Sequence, residues 1–252
     1  MHVFTGVGVA LVTLLDSTGE VDVSSTAALA RDLADSGMRG ILVCGTTGEA
    51  ATLTDDERRE LISAVRATVP ADVPVLAGTG APAASRAAEL TSAAADAGAD
   101  AVLAWPPPGC HDLPGYYAAL AAASSLPVVA YHIPWVSAPG VPVSALDDLP
   151  VSGLKDSSGD PDRLLAEVVH YRGSTYVGSS ALLALAGPLG ATGAILALAN
   201  VEPELCCKAF TGDAAAQREL ADVHLAVREG GPPALKQILA SRRRTVALSR
   251  TT

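Results

Sequence analysis

Lysine is nearly missing from this 252-residue chain: of its 17 basic residues only Lys155, Lys208 and Lys236 are lysine. Where charge alone is wanted the chain uses arginine, so a lysine marks a place where a compact amine that can lose its proton does what a guanidinium cannot. Aromatic residues are also scarce, at 4%, which leaves a core to be built from Ala, Val, Leu and Ile. No apolar run reaches the roughly 18 residues that span a bilayer. The opening Met1-His2-Val3-Phe4-Thr5-Gly6 has no basic stretch of the kind that starts a signal peptide. Four cysteines (Cys44, Cys110, Cys206 and Cys207) make no CxxC pair, which argues against a disulfide framework and for a reduced, cytoplasmic setting. Positive charge is in deficit as well. A net charge of −10 gives no electrostatic footprint for nucleic acid or for an anionic membrane surface. What is abundant is hydrophobic residues, at 49% against 17% charged, too apolar for disorder and ample for a large core.

Short apolar runs alternate along the chain with longer Ala- and Leu-rich segments. The runs are Val7–Leu15, Gly40–Gly45, Pro74–Gly80, Ala101–Pro106, Pro127–Pro134, Val151–Asp156, Thr175–Gly178 and Gly193–Asn200. Each is apolar on both faces, as a parallel strand covered by helices should be. The segments between them carry helix ends. Ser24 or Ser25 can cap one helix, Thr54-Asp55-Asp56-Glu57 reads as a capping box, and Pro82, Pro114 and Pro161 suit first helical positions. Pro142 and Pro203 open weaker candidates. A βα unit repeated eight times closes compactly as a (β/α)8 TIM barrel, in preference to an open doubly wound sheet. The expected organisation is a barrel over residues 1–212 carrying the active site, followed by a short C-terminal helical extension over 213–252. Residues 245–252 carry no structural signal and are expected to fray.

Active sites of such barrels lie at the carboxyl ends of the strands, which ranks the candidates. Lys155 ends the sixth run. In an apolar barrel mouth its amine would lose its proton and could attack a ketone to form a Schiff base; the plain alternative is a salt bridge, for instance to Asp156. Tyr131 ends the neighbouring fifth run and can either shuttle protons for such chemistry or merely plug the barrel. Gly45-Thr46-Thr47-Gly48-Glu49, after the second run, offers hydroxyls and backbone N–H groups that could cradle a carboxylate. Gly78-Thr79-Gly80 imitates a dinucleotide fingerprint but lacks an acidic partner and reads as an ordinary βα turn. Cys110-His111-Asp112 has no second cluster at ligand spacing, so neither a metal nor another cofactor is called for.

Together these residues resemble the dihydrodipicolinate synthase / N-acetylneuraminate lyase family of class I, Schiff-base aldolases. The matching pieces are Gly45-Thr46-Thr47-Gly48-Glu49 with Ala51-Thr52-Leu53, Gly78-Thr79-Gly80, Tyr131-His132-Ile133-Pro134 and Gly153-Leu154-Lys155-Asp156-Ser157-Ser158-Gly159. They follow the family's order, and the resemblance runs from Phe4 to about Leu239. It implies a (β/α)8 barrel in which Lys155 forms a Schiff base with pyruvate or another small 2-oxo acid. It further implies that Tyr131 relays the proton with Thr46 as its hydroxyl partner, that Thr47 and its loop hold the carboxylate, and that Ile195 lies where the eighth strand faces the substrate. A homo-oligomer, dimer or tetramer, is the family's usual state.

The chain departs from the family at four places. Val136 stands where true dihydrodipicolinate synthases have an arginine for the second substrate's carboxylate. Pro108 replaces the relay tyrosine of the fourth loop, with His111, Tyr116 and Tyr117 as the nearby substitutes. Ser179-Ser180 replace the acidic residues of sialic acid lyases, and the C-terminal helical region is short. The expectation is a lyase that resembles a dihydrodipicolinate synthase without being a true one. The alternatives are a 2-oxo acid dehydratase using the same lysine and a catalytically silent metabolite-binding barrel.

Overall fold

The computed structural model describes residues 2–243 and 247–251. Eight parallel strands close into a barrel in sequence order: β1 (Gly6–Ala10), β2 (Ile41–Val43), β3 (Val75–Gly78), β4 (Ala101–Ala104), β5 (Val128–His132), β6 (Gly153–Asp156), β7 (Ser174–Val177) and β8 (Gly193–Leu196). Closure comes from β8 pairing with β1, Gly193 beside Gly6 through Leu196 beside Val9, which excludes the open doubly wound sheet. Nearly every strand residue is buried, because one face looks into the barrel and the other at the surrounding helices.

Those helices are α1 (Val23–Asp35), α2 (Asp55–Thr68), α3 (Ala84–Asp96), α4 (Leu113–Ala123), α5 (Pro161–His170), α6 (Leu183–Leu189) and α7 (Pro203–Phe210). Their ends follow local chemistry. Thr54 and Glu57 form the reciprocal capping box of α2. Asp112 and Asp160 cap α4 and α5 with Pro114 and Pro161 in the first turn. Two start signals were displaced. Asp22, not Ser24 or Ser25, caps α1, because its carboxylate accepts from the Ser25 N–H and the Ser24 hydroxyl together. The segment after Pro142 makes only a 3-10 turn, Val143–Asp148, since Pro150 leaves too short a stretch for an α-helix.

The barrel's lower end is filled by aromatics despite their rarity. Phe4 packs on Tyr176 with ring centroids 4.8 Å apart, and the Tyr176 hydroxyl donates to the Phe4 carbonyl while accepting from its N–H. Gly8 and Gly40 make room for the Phe4 ring, since a Cβ at either would sit under 3 Å from it. Large residues low in the barrel leave the upper end for the lysine.

Two further helices follow α7: α8 (Ala214–Glu219) and α9 (Ala221–Arg243). Gly231 (φ 57°, ψ −149°) breaks α9 in a conformation open essentially to glycine, and Pro232 and Pro233 restart the helix beyond it. The bend returns the second half of α9 to the barrel mouth, where Leu235, Lys236 and Leu239 are buried. The tail does not fray over its described part: Ser249, Arg250 and Thr251 bind Glu49, Glu57 and the carbonyls of Gly19 and Thr52. This corrects the expectation for 247–251. Residues 245, 246 and 252 lie outside the described residues. No helix among the described residues is long and apolar enough to cross a membrane.

Candidate active site

Strand register brings the two central residues together: Tyr131 on β5 lies directly beside Lys155 on β6, and both side chains point into the upper barrel. Lys155 Nζ sits 4.5 Å from the centroid of the Tyr131 ring. Burial without a carboxylate partner pulls the lysine amine down from 10.5 to about 7, so about half is neutral at neutral pH. The salt-bridge alternative to Asp156 is not what the structure contains. Strand alternation sends Asp156 to the outer face, where it holds the hydroxyl and N–H of Ser158 and approaches Arg163 at 3.7 Å.

Burial pushes the Tyr131 phenol up to about 12, against the opposing effect of the Ser157 and Thr46 hydroxyls. It therefore stays protonated and available as a donor. Ser157 Oγ lies 3.2 Å from the phenol oxygen, two residues beyond Lys155. Ser157 was part of the recognised motif but had no assigned role. Its contact depends on the register of β5 against β6, which spacing along the chain does not display.

The Gly45–Glu49 loop is held rigidly at both ends. Cys44 and Glu49 both adopt positive φ, 53° and 55°, uncommon for residues with a side chain. Arg58 reaches back from α2 to the carbonyls of Ala50 and Gly78. Within the turn the N–H groups of Gly48, Glu49 and Ala50 are used internally. Those of Thr46 and Thr47 have no acceptor among the described residues and are free for a ligand carboxylate. Glu49 itself is buried. Lys236 Nζ is 2.5 Å from one carboxylate oxygen, and the hydroxyls of Ser249 and Thr251 with the Thr251 N–H hold the other. Burial alone would raise this carboxyl, but those donors outweigh it and hold it down at about 2. The second scarce lysine thus has a structural use.

Above Lys155 opens a cavity of about 550 Å³. Lys155, Tyr131, Thr46 and Thr47 all line it. Ile195 does not: its side chain belongs to the barrel-interior cluster with Phe4, Tyr131 and Tyr176, and the chain reaches the cavity just beyond β8, through Ala197 and Leu198. The substitutes for the fourth-loop tyrosine are elsewhere too. Tyr116 and Tyr117 are buried and donate to the carbonyls of Trp105 and Ala104, tying α4 to β4, while His111 is exposed outside the cavity. Val136 is exposed and outside it, although its neighbour Trp135 lines the rim. The far wall comes from α9, with His224, Val227 and Arg228 at helical spacing before the break at Gly231 and Leu235 after it. No sequence signal had marked these four, because the extension packs back over the barrel from outside the βα repeat, and Leu235 also depends on the bend at Gly231.

Comparison with known proteins agrees with this architecture. A profile described as the dihydrodipicolinate synthetase family matches residues 3–229. A 4-hydroxy-tetrahydrodipicolinate synthase of Thioalkalivibrio sulfidiphilus is 38% identical over 227 residues, covering 84% of this chain and 77% of that protein. Another, from Synechococcus sp. strain CC9605, is 41% identical over 172 residues, covering 65% of this chain and 57% of its own length. The matched stretch is thus little more than half of that relative. Among solved structures, a chloride-inhibited dihydrodipicolinate synthase from Acinetobacter baumannii complexed with pyruvate superimposes with a TM-score of 0.90 at 28% identity, over 98% of this chain and 92% of that one.

Proposed function

This chain belongs to the dihydrodipicolinate synthetase family, and from that membership we propose that it is a Schiff-base lyase acting on pyruvate or another small 2-oxo acid. The observation that carries the proposal is Lys155: a buried amine, depressed to about 7, facing a cavity and lying over the ring of a protonated tyrosine. The free N–H groups of Thr46 and Thr47 supply the place for the 2-oxo acid's carboxylate.

In the reaction the neutral Lys155 amine adds to the C2 carbonyl, giving a carbinolamine. Tyr131 protonates the departing hydroxyl, water leaves, and an iminium remains. Loss of a C3 proton then gives an enamine, whose C3 attacks the carbonyl of an aldehyde partner in the condensing direction; the cleaving direction is the reverse. Hydrolysis of the resulting imine frees Lys155. The hydroxyls of Thr46 and Ser157 flank the phenol and support its part in passing protons. Val136 in place of the arginine for the second substrate's carboxylate supports a partner other than that of the true dihydrodipicolinate synthases.

Borohydride reduction in the presence of pyruvate tests the proposal. One reduced adduct on Lys155 is expected by mass spectrometry, absent from Lys155→Arg. No adduct with any small 2-oxo acid, or an adduct confined to Lys208 or Lys236, would overturn it.

A further inference from the structure

The cavity is far larger than a three-carbon acid needs, and its charge is one-sided. Among the described residues lining it there is no aspartate or glutamate, while Lys155, His224 and Arg228 all face it. In a chain of net charge −10 such a wall does not arise from composition. Arg228 is an exposed residue of the cavity's lining with no ion-pair or hydrogen-bond partner among the described residues, so its guanidinium donors are uncommitted. His224, one helical turn earlier, is fixed: its Nδ1 lies 2.7 Å from Ser180 Oγ, and Gln217 in turn holds the Ser180 carbonyl. Burial and the adjacent Arg228 lower the His224 pKa, which favours the neutral ring. In the tautomer where the Ser180 hydroxyl donates to Nδ1, Nε2–H is left as a donor for a ligand.

Resting on the Schiff-base reading above, we infer that Arg228 and His224 form the recognition site for an anionic group on the aldehyde partner, a carboxylate or a phosphate. A guanidinium is suited to both through paired donors. This wall replaces, from α9, the cation that Val136 leaves out of the loop after β5. The 2-oxo acid occupies the Lys155 and Thr46–Thr47 end of the cavity, and the partner's anion the α9 end. The four serines between them, Ser157, Ser158, Ser179 and Ser180, suit hydroxyls or ordered water along the intervening chain. An ammonium on the partner meets no carboxylate in this cavity, so an amine-free anionic aldehyde is the class selected.

Wild type and Arg228→Gln are compared with pyruvate and three aldehydes: glyceraldehyde, succinic semialdehyde and glyceraldehyde 3-phosphate. Loss of a hydrogen bond to a charged group predicts a fall in kcat/KM of about 10- to 100-fold for the carboxylate or the phosphate aldehyde, without change for neutral glyceraldehyde. The arm that falls identifies which anion is used. An equal fall for glyceraldehyde, or no fall for either anion, overturns the inference. Trapping of pyruvate on Lys155 should be the same in both proteins. If no pyruvate adduct forms in wild type, the reaction reading fails on its own, and calorimetry with succinate and with inorganic phosphate then decides. Saturable binding of either that is weakened in Arg228→Gln supports the site, and no binding, or equal binding in both proteins, removes it.

Discussion

Lys155 is costly to keep. Its amine titrates near 7 in the folded barrel, because burial removes water from the ammonium, and near its ordinary 10.5 in the unfolded chain. Between those values the unfolded chain holds the proton that the folded one has lost, so stability from this group rises with pH through that window and is lowest at and below pH 7. The shift is on the order of a few kcal/mol. Lys155→Met, which fills similar volume without charge, is expected to form no pyruvate adduct and yet to melt higher than wild type at pH 7, by about 2–4 °C per kcal/mol recovered. The gap should narrow as the pH approaches 10, a comparison of melting curves at three pH values being sufficient. A variant that melts lower at pH 7 would mean that the amine has a stabilising partner in the cavity. The trade of stability for a reactive amine is common at active sites. It also explains why lysine scarcity was informative: in a chain that satisfies charge with arginine, a buried lysine has to be tied either to an anion, as Lys236 is, or to chemistry.

At the scale of elements, the second half of α9 is fastened to the Gly45–Glu49 loop by the buried Glu49–Lys236 pair. The pair connects the half of α9 beyond Gly231, which contributes Leu235 to the cavity, with the loop whose Thr46 and Thr47 N–H groups are free. Breaking one half of such a pair strands the other charge, costing about 3–5 kcal/mol, whereas replacing both by uncharged residues is close to neutral. Glu49→Gln and Lys236→Met are therefore each expected to be strongly destabilising, and the double variant much less so, measured by denaturant unfolding. Additive losses would show that the two do not act as a unit. The acid limb of stability follows from the same carboxyl. Its pKa of about 2, below the ordinary 4.5, contributes stability that is full above 4.5 and lost as pH falls through 2. Sequence could not have shown this fastening. Lys236 and Glu49 are 187 positions apart, and the tail serines and threonines that complete the shell carry no periodic signal. The capping box at Thr54, by contrast, is complete within four residues and needed no tertiary information.

For the whole molecule, the repeating βα pattern and its closure were readable because each strand is short, apolar on both faces and bounded by caps; periodicity is a local property repeated eight times over. Lys155 and Tyr131 were readable for a related reason, since strand ends in a barrel share one rim. What the pattern could not reveal is the C-terminal wall, which reaches the site from outside the repeat and whose second half turns back at Gly231. That wall alters the expectation drawn from Val136. An apolar residue there leaves the carboxylate of aspartate semialdehyde without its family partner, a loss of about 2–5 kcal/mol, or roughly 30- to 5,000-fold in kcat/KM. Arg228 can recover part of this for an anion, but only for one delivered to the α9 end. The ammonium of aspartate semialdehyde then lies in a cavity whose lining contains cations and no carboxylate among the described residues. Turnover of aspartate semialdehyde with pyruvate is therefore expected to be weak, with kcat/KM at least about tenfold below that of succinic semialdehyde, which carries the carboxylate without the amine. Parallel coupled assays of the two aldehydes on one preparation measure the difference. Equal or better use of aspartate semialdehyde would show that this barrel holds an ammonium by carbonyl oxygens or hydroxyls alone, and would restore it to the activity of its 4-hydroxy-tetrahydrodipicolinate synthase relatives.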